Sequence, residues 1–188
     1  MIESADESSL FDIISGCKEG DHYSFRELYD MYKDRVYTTS RRMLGNSDDA
    51  EDAAQEIFLK IFHNIKKFRG DSSLLTWIYR ITVNTCIECI RKRRKNHESL
   101  DDSDDYSSIP APSGTDGLAR LILEREIDHL PEGCKTVFLL HTVEGFTHNE
   151  IGEILNIPTG TSKSQLAAAK SRLREQLLPY MEVLRHEL

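Results

Sequence analysis

A stretch in the middle of the chain, residues 97–117, is too polar to take part in a packed core. It carries six acidic residues, two prolines and two glycines, and it has no lysine or arginine. A segment of this composition cannot bury enough apolar surface to offset the entropy that ordering it would lose. The sequence therefore predicts a flexible acidic linker that joins one domain over residues 1–96 to another over residues 118–188.

The first predicted domain shows the three- and four-residue apolar spacing of amphipathic helices. One helix is predicted over residues 23–44, where Gly45 ends it. A second is predicted with Ser47 as its N-cap and continues to about residue 66, and a third covers residues 74–95. No segment shows the alternation of a half-buried strand convincingly. The expected fold class is all-α.

The second predicted domain contains the pattern of a helix-turn-helix. After short helices at residues 118–130 and 137–143, Thr147 and Glu150 have the spacing of a capping box. The short helix that they open is followed by a tight turn and by a longer helix from about Thr159. Such an arrangement is typical of duplex DNA recognition. An ordinary helical hairpin is the alternative interpretation.

The charge of the chain is distributed unevenly. The formal net charge of −8 argues against nonspecific nucleic-acid binding by the whole chain. Residues 66–95, however, hold nine basic residues against two acidic ones, and Phe68 and Trp77 lie among them. Cations beside aromatic rings suit unpaired nucleic acid, because rings stack on bases and cations neutralise phosphates. The alternative is that Trp77 is a core residue and residues 91–95 form a solvated helix end.

Catalytic and metal-binding patterns are missing from the sequence. It has no phosphate-binding glycine loop, no His-Glu-x-x-His helix and no glycine-flanked nucleophile, so we expect neither an enzyme nor a cofactor. Cys86 and Cys89 have the spacing of half a zinc site, but no second pair follows. Cys134, His141 and His148 recur at every seventh residue and would still need another ligand. We expect helix packing rather than metal binding from both groups.

Neither a membrane span nor an export signal is visible. Unbroken apolar runs reach about four residues, whereas a transmembrane helix needs about 20. The first nine residues are acidic and lack the basic-then-apolar order of a signal peptide. The expectation is a cytoplasmic protein that is not an integral membrane protein.

Several motifs resemble the sigma-70 family of RNA polymerase sigma factors, in the order in which that family has them. Residues 49–58 (DAEDAAQEIF) resemble its core-polymerase-binding segment. Residues 68–71 (FRGD) and 76–84 (TWIYRITVN) resemble its −10 element segment. The segments LPE, EIGEIL and PTGT, between residues 130 and 161, resemble its −35-reading domain. Only these two regions are present, with a short linker, as in the extracytoplasmic-function (ECF) group.

The resemblance implies a protein without catalytic activity of its own that directs core RNA polymerase to specific promoters and aids melting of the −10 element. Its two helical domains would be a sigma region 2 bundle and a sigma region 4 helix-turn-helix. The implied partners are core RNA polymerase, through the β′ clamp coiled coil and the β flap, promoter DNA and an anti-sigma factor. No small-molecule substrate is implied.

The resemblance also assigns roles to individual residues. Contact with core polymerase is implied for Asp49, Asp52, Gln55, Glu56 and Phe58. Contact with the −10 element is implied for Phe68, Arg69, Arg80, Asn84 and Arg91. Of these, Phe68 and Asn84 would hold an unpaired base. Contact with the −35 element is implied for Thr161, Lys163, Ser164, Gln165, Lys170 and Arg172.

The predicted recognition helix departs from the family pattern at two positions. Gln165 and Ala168 stand where that family usually has basic residues. Glutamine reads adenine by a bidentate contact, whereas arginine reads guanine. We therefore expect weak −35 reading with a preference for A·T at the pair that faces Gln165. Lys163, Lys170 and Arg172 are expected mainly on phosphates.

Two other classes of protein remain as alternatives. A stand-alone helix-turn-helix regulator would bind an operator as a dimer, and a two-fold operator footprint without polymerase would favour it. An interaction protein would use only the helical first domain, and the alanine-rich residues 167–169 of the recognition helix keep this possibility open. Promoter-selective transcription by one copy of the chain with core polymerase would favour the sigma factor over both.

Overall fold

The computed structural model describes the backbone of residues 7–97 and 115–186, and the side chains of residues 9–95 and 119–180. Most of these residues are helical, and no strand occurs among them, which confirms the all-α fold class. The chain divides into two compact units, with the boundary between Arg93 and Arg94. Most of the predicted linker, residues 98–114, lies outside the described residues.

Four α-helices and a short 3₁₀ turn form the first unit. They are α1 (Glu7–Glu19), α2 (His22–Leu44), α3 (Ser47–Asn64), the 3₁₀ turn (Ile65–Lys67) and α4 (Leu74–His97), which belongs to this unit as far as Arg93. The sequence analysis did not predict α1, although Ile13 and Cys17 on it are four residues apart and both are buried. Helix α4 extends two residues beyond the predicted end, so it enters the segment that was expected to be linker.

The core of the first unit is built from one apolar stripe on each of its long helices. Its largest fully buried side chains are Leu28, Val36, Ile57, Ile61, Ile65, Ile78, Tyr79 and Val83. The Tyr79 hydroxyl accepts a hydrogen bond from Thr39 Oγ1 at 3.4 Å, so the polar end of this buried ring is satisfied. This core holds the opposite, polar faces of α3 and α4 in fixed positions.

The N-cap of α3 is Asn46, and the prediction of Ser47 was wrong by one residue. Asn46 Oδ1 accepts a hydrogen bond from the backbone nitrogen of Asp49 at 2.8 Å. Gly45 adopts a left-handed conformation (φ 85°) and ends α2, which leaves Asn46 in the extended conformation that a cap requires. Ser47 is already helical.

The second unit consists of four α-helices with a π-helical turn. They are α5 (Thr115–Asp128), α6 (Glu132–Phe138), the π turn (Leu139–Val143), α7 (His148–Leu155) and α8 (Thr159–His186). Helix α5 begins three residues before the predicted position and so takes in the end of the predicted linker. Helix α6 begins five residues early, because its polar first turn is already hydrogen-bonded from Lys135 N to Pro131 O at 2.9 Å.

The helix-turn-helix is confirmed by the geometry around α7. Thr147 Oγ1 accepts from the backbone nitrogen of Glu150 at 3.3 Å, and the backbone nitrogen of Thr147 donates to Glu150 Oε2 at 2.8 Å, which completes the capping box. Asn156, in the left-handed region (φ 54°), ends α7. Helix α8 packs on the other helices through Leu166, Ala169 and Leu173.

Membrane-crossing helices were not expected from the sequence. Across residues 7–97 and 115–186, no helix combines the length and the apolar character that crossing a bilayer would require.

Candidate nucleic-acid and partner interfaces

A groove of about 370 Å³ runs between α2 and α3. We call it the α2–α3 groove, and its lining residues are Tyr29, Lys33, Asp34, Tyr37, Glu51, Ala54, Gln55 and Phe58. The Tyr29 and Phe58 rings are in contact, with centroids 4.7 Å apart. Lys33 Nζ pairs with Asp30 at 2.7 Å. Aromatic surface beside charges of both signs suits an amphipathic partner helix.

Two of the five residues predicted to contact polymerase, Gln55 and Phe58, line this groove. Asp52 is exposed on the same helix but is not part of the lining. The α2 side of the groove was missed in the sequence analysis. A signal existed, because Tyr29, Lys33 and Tyr37 recur at every fourth residue and so share one helix face.

Glu56 forms an ion pair with Lys60 within the first unit. Lys60 Nζ lies 2.8 Å from Glu56 Oε1 and 3.1 Å from both Glu88 Oε2 and Thr85 Oγ1 of α4. The hydrogen bond from Lys60 lowers the pKa of Glu56. A change at Glu56 would therefore disturb the contact between α3 and α4 as well as any contact with a partner.

Asp49 is likewise paired with residues of the first unit. Its Oδ2 accepts from Asn46 Nδ2 at 2.7 Å and lies 3.4 Å from Arg93 NH1. The same guanidinium nitrogen donates to Leu44 O, at the end of α2, at 3.3 Å. Arg93 belongs to the basic run at the end of α4, so one cation of that run has a structural role.

The candidate −10 surface lies on α4 and in the loop before it. Arg80, Asn84 and Arg91 are separated by four and seven residues and therefore share one face of the helix. Asn84 and Arg91 are exposed, Arg80 is half-buried, and Arg69 is exposed in the preceding loop. Three of the five predicted −10 residues thus share one face of α4, and a fourth, Arg69, is exposed in the preceding loop.

Phe68 is the exception, because its side chain is only 8% exposed. Its ring packs against Trp77, with centroids 5.5 Å apart and planes tilted by 54°. Lys18 Nζ of α1 lies 5.8 Å from the centre of the same ring. The ring is therefore not free to stack on a base in this structure, contrary to the expectation. Covering it removes its apolar surface from water, which favours this position. Trp77 itself is half-buried.

The candidate −35 surface is the outer face of α8. Lys163, Ser164, Lys170 and Arg172 are exposed, and Thr161 is half-buried near the start of the helix. Arg174 was missed by the sequence analysis. It is exposed, and its spacing of four residues from Lys170 places it on the same face.

Gln165 turns toward α6 and not toward this face. Its Nε2 lies 2.8 Å from the position that a Cβ on Gly133 would occupy. Its Oε1 is buried and has no hydrogen-bond partner in the part of the chain that the structure describes. Spacing along α8 did not predict this direction, because Gln165 stands four residues before the buried Ala169 and also four residues after Thr161 of the candidate surface. The expected A·T preference at Gln165 therefore loses its geometric basis.

Replacing Gln165 by leucine is expected to leave promoter preference unchanged and to preserve or raise the free energy of unfolding. A buried acceptor without a partner costs about 1–3 kcal/mol, and leucine removes this acceptor. Denaturant unfolding and selection on promoters randomised across the −35 region are the two measurements. A changed base preference at one position would return Gln165 to the DNA-reading set.

Two histidines meet beside α8. The rings of His141 and His148 have centroids 4.6 Å apart, and His148 Nδ1 lies 2.9 Å from Ser162 Oγ. Burial, and then the neighbouring His141, Lys163 and Lys170, lower the pKa of His148. Among the described residues, no group of three or more histidine, cysteine or acidic side chains is arranged to hold a metal ion.

Acidification is expected to destabilise the second unit through His148. Because folding lowers the pKa of His148, its contribution to stability is present above the ordinary value of about 6.5 and is lost as pH falls through the folded value. Between pH 7.5 and 5.5, the free energy of unfolding should fall less in His148→Asn than in the parent. Denaturant unfolding at the two pH values is the measurement, and an equal fall in both proteins would contradict this prediction.

The cysteines are free thiols in the described structure. Cys86 is fully buried, and burial raises the pKa of its thiol to about 11. Its Sγ lies 3.6 Å from Ser40 Oγ of α2. Cys86 thus contributes to helix packing, in line with the sequence-based expectation.

Comparisons with known proteins match both units. Residues 28–96 match the family Sigma-70 region 2, and residues 120–173 match the family Sigma-70, region 4. The ECF RNA polymerase sigma factor SigW of Bacillus subtilis is 36% identical over 87% of this chain and 94% of its own length. The ECF RNA polymerase sigma-E factor of Haemophilus influenzae is 29% identical over 90% of this chain and 95% of its own.

Two solved structures share the fold. One is the sigma factor RpoE in complex with the anti-sigma factor NepR from Bartonella quintana, with a TM-score of 0.71 and 22% identity over 81% of this chain and 96% of that one. The other is CnrH in complex with the cytosolic domain of CnrY, with a TM-score of 0.66 and 19% identity over 88% and 94%.

The family matches, the relatives and the helix-turn-helix geometry agree with one another. The chain therefore belongs to the ECF group of RNA polymerase sigma factors, which direct core RNA polymerase to specific promoters at the start of transcription.

Proposed function

We propose that the α2–α3 groove is the main surface by which this sigma factor binds the β′ clamp coiled coil of core polymerase. The observation that carries the proposal is the groove itself, which lies within the region 2 match and combines aromatic surface with both signs of charge. Gln55 and Phe58 would contact the partner directly, and Asp52 would act at the edge. Asp49 and Glu56 would contribute mainly by orienting α3.

The basic face of α4 is proposed to bind the −10 element. Arg69, Arg80 and Arg91 would neutralise phosphates of the separated strands, and Asn84 would hydrogen-bond an unpaired base. Extruding a base from the stack costs a few kcal/mol, so these contacts would favour melting only if they act together.

The exposed face of α8 is proposed to enter the major groove at the −35 element. Lys163, Lys170, Arg172 and Arg174 would lie on phosphates, while Thr161 and Ser164 would face base edges. With Gln165 turned inward, hydroxyl groups are the main candidates for direct base contacts. We therefore propose modest −35 selectivity, with most of the affinity supplied by charge and by attachment to polymerase, including the β flap.

Regulation by an anti-sigma factor is proposed from the two similar folds that were solved with such partners. We further propose that the protein acts in the cytoplasm and that it catalyses no reaction, since polymerase supplies the chemistry of RNA synthesis.

Run-off transcription on a library of genomic fragments tests this function. Core polymerase with the protein should produce transcripts from a defined set of start sites, and core polymerase alone should not. A two-fold footprint on DNA without polymerase would favour a dimeric regulator instead. An absence of transcripts, with core polymerase that is active with another sigma factor, would contradict the proposed function.

A further inference from the structure

Helix α1 brings a basic residue to the loop that precedes α4. Ile13 and Cys17 are buried, which fixes α1 against the rest of the first unit. Its last turn then places Lys18 Nζ 5.8 Å from the centre of the Phe68 ring. A cation at this distance is attracted by the electrons of the ring.

Phe68 is therefore covered from two elements. Trp77 of α4 contacts the ring at a centroid distance of 5.5 Å, and Lys18 of α1 adds a second cover. The two covers differ in kind. Trp77 is anchored in a helix that also supplies core residues, whereas Lys18 is a long side chain with many rotamers, so it can move away at little cost.

The charge around Lys18 points to a phosphate as its second binding partner. Lys66, Lys67 and Arg69 flank Phe68 in sequence, and all three are exposed. Lys18 forms no ion pair with a carboxylate within the residues whose side chains are described. Three exposed cations thus flank the Phe68 ring in sequence, and Lys18 is a fourth that contacts it in space.

We propose that Lys18 is a DNA-binding residue that exchanges the Phe68 ring for a phosphate of the unpaired −10 strand. An ammonium group binds a phosphate more strongly than it binds a ring face, because the phosphate carries a full charge. When Lys18 leaves, one side of the Phe68 ring becomes available to stack on a base. The inference rests on the proposed −10 surface and explains how a ring that is covered in the free protein can serve it.

The test uses the complex of full-length protein with core polymerase and a promoter fragment whose −10 region is already unpaired. The fragment is taken from the run-off selection, and its affinity is measured at several salt concentrations. Lys18→Gln keeps most of the aliphatic stem and removes the charge. It should weaken binding and make the negative slope of log K against log salt less steep by about 0.7, the value for one phosphate of a single strand.

Two further variants control for charge and for stability. Lys18→Arg should retain the parent's slope. Arg26→Ala removes the other basic residue of the first 30 and should leave the slope unchanged. Thermal unfolding of Lys18→Gln should match that of the parent protein.

An unchanged slope in Lys18→Gln would overturn the proposal. If the melting temperature also fell, Lys18 would only support the fold. Arg69→Ala separates this failure from failure of the −10 surface. If Arg69→Ala lowers the slope and Lys18→Gln does not, only Lys18 is wrongly assigned. If neither variant lowers it, the −10 surface is wrong as well.

Discussion

Replacing Ala54 by arginine is expected to weaken binding to core polymerase by roughly thirtyfold or more. Ala54 is a half-buried residue that lines the α2–α3 groove between Glu51 and Phe58. A long charged side chain there would occupy the space that a partner helix needs. A disruption near the centre of an interface typically costs at least about 2 kcal/mol, which corresponds to that factor.

The matched control is Leu59→Arg on the same helix. The Leu59 side chain is 60% exposed and does not line the groove, so the same new charge should leave polymerase binding close to that of the parent. Affinity is measured by titrating labelled protein with core polymerase, and helicity and thermal unfolding are measured in parallel. Equal weakening in both variants would show that added charge on α3, and not the groove, is responsible.

The structure also guides the choice of variants on this surface. Reversing the charge of Asp52 changes an exposed carboxylate, so its effect reports on binding to the partner. Reversal of Glu56 would place a second cation beside Lys60, which now bridges α3 to Glu88 of α4. A loss of polymerase binding in a Glu56 variant would therefore report on the fold and on the interface together.

Removing three cations from the outer face of α8 is expected to weaken promoter binding by a similar amount for every −35 sequence. Lys163, Lys170 and Arg174 are exposed and share one face of the helix. Each phosphate contact on duplex DNA contributes about 0.9 to the slope of log K against log salt, so the triple alanine variant should lose nearly three units. The measurement is holoenzyme binding to duplex promoters at several salt concentrations.

Arg120 and Arg125 of α5 provide a control for the loss of positive charge away from α8. Both side chains are exposed, and neither lies on α8. Their double alanine variant should retain the salt dependence of the parent. A triple α8 variant that lost affinity for some −35 sequences and not for others would show that these cations contact base edges, as specific recognition requires.

The helices and the helix-turn-helix were predictable because the interactions that define them are local. A capping box joins Thr147 to Glu150 three residues away, and apolar stripes repeat at three and four residues within one helix. The all-α class and most helix ends follow from such patterns. Helix α1 was not predicted, although its buried residues Ile13 and Cys17 show the same spacing.

The roles of individual site residues depended on contacts between parts of the chain that are far apart in sequence. Asp49 and Glu56 were expected to face a partner. In the structure Asp49 is tied to Arg93, 44 residues away, and Glu56 shares Lys60 with Glu88. The pair of Glu56 and Lys60 is local, because four residues separate them on α3. Arg93 and Glu88 belong to α4, and these partners are set by which helices pack together.

Phe68 and Gln165 show the same division most clearly. Their types and positions suited a base-stacking ring and an adenine-reading amide, and local sequence carries that much. The direction of each side chain was decided by packing, with Phe68 between Trp77 and Lys18 and with Gln165 against Gly133. Local hydrogen bonding and periodicity set the helices, whereas burial between helices sets which of their side chains remain free to bind.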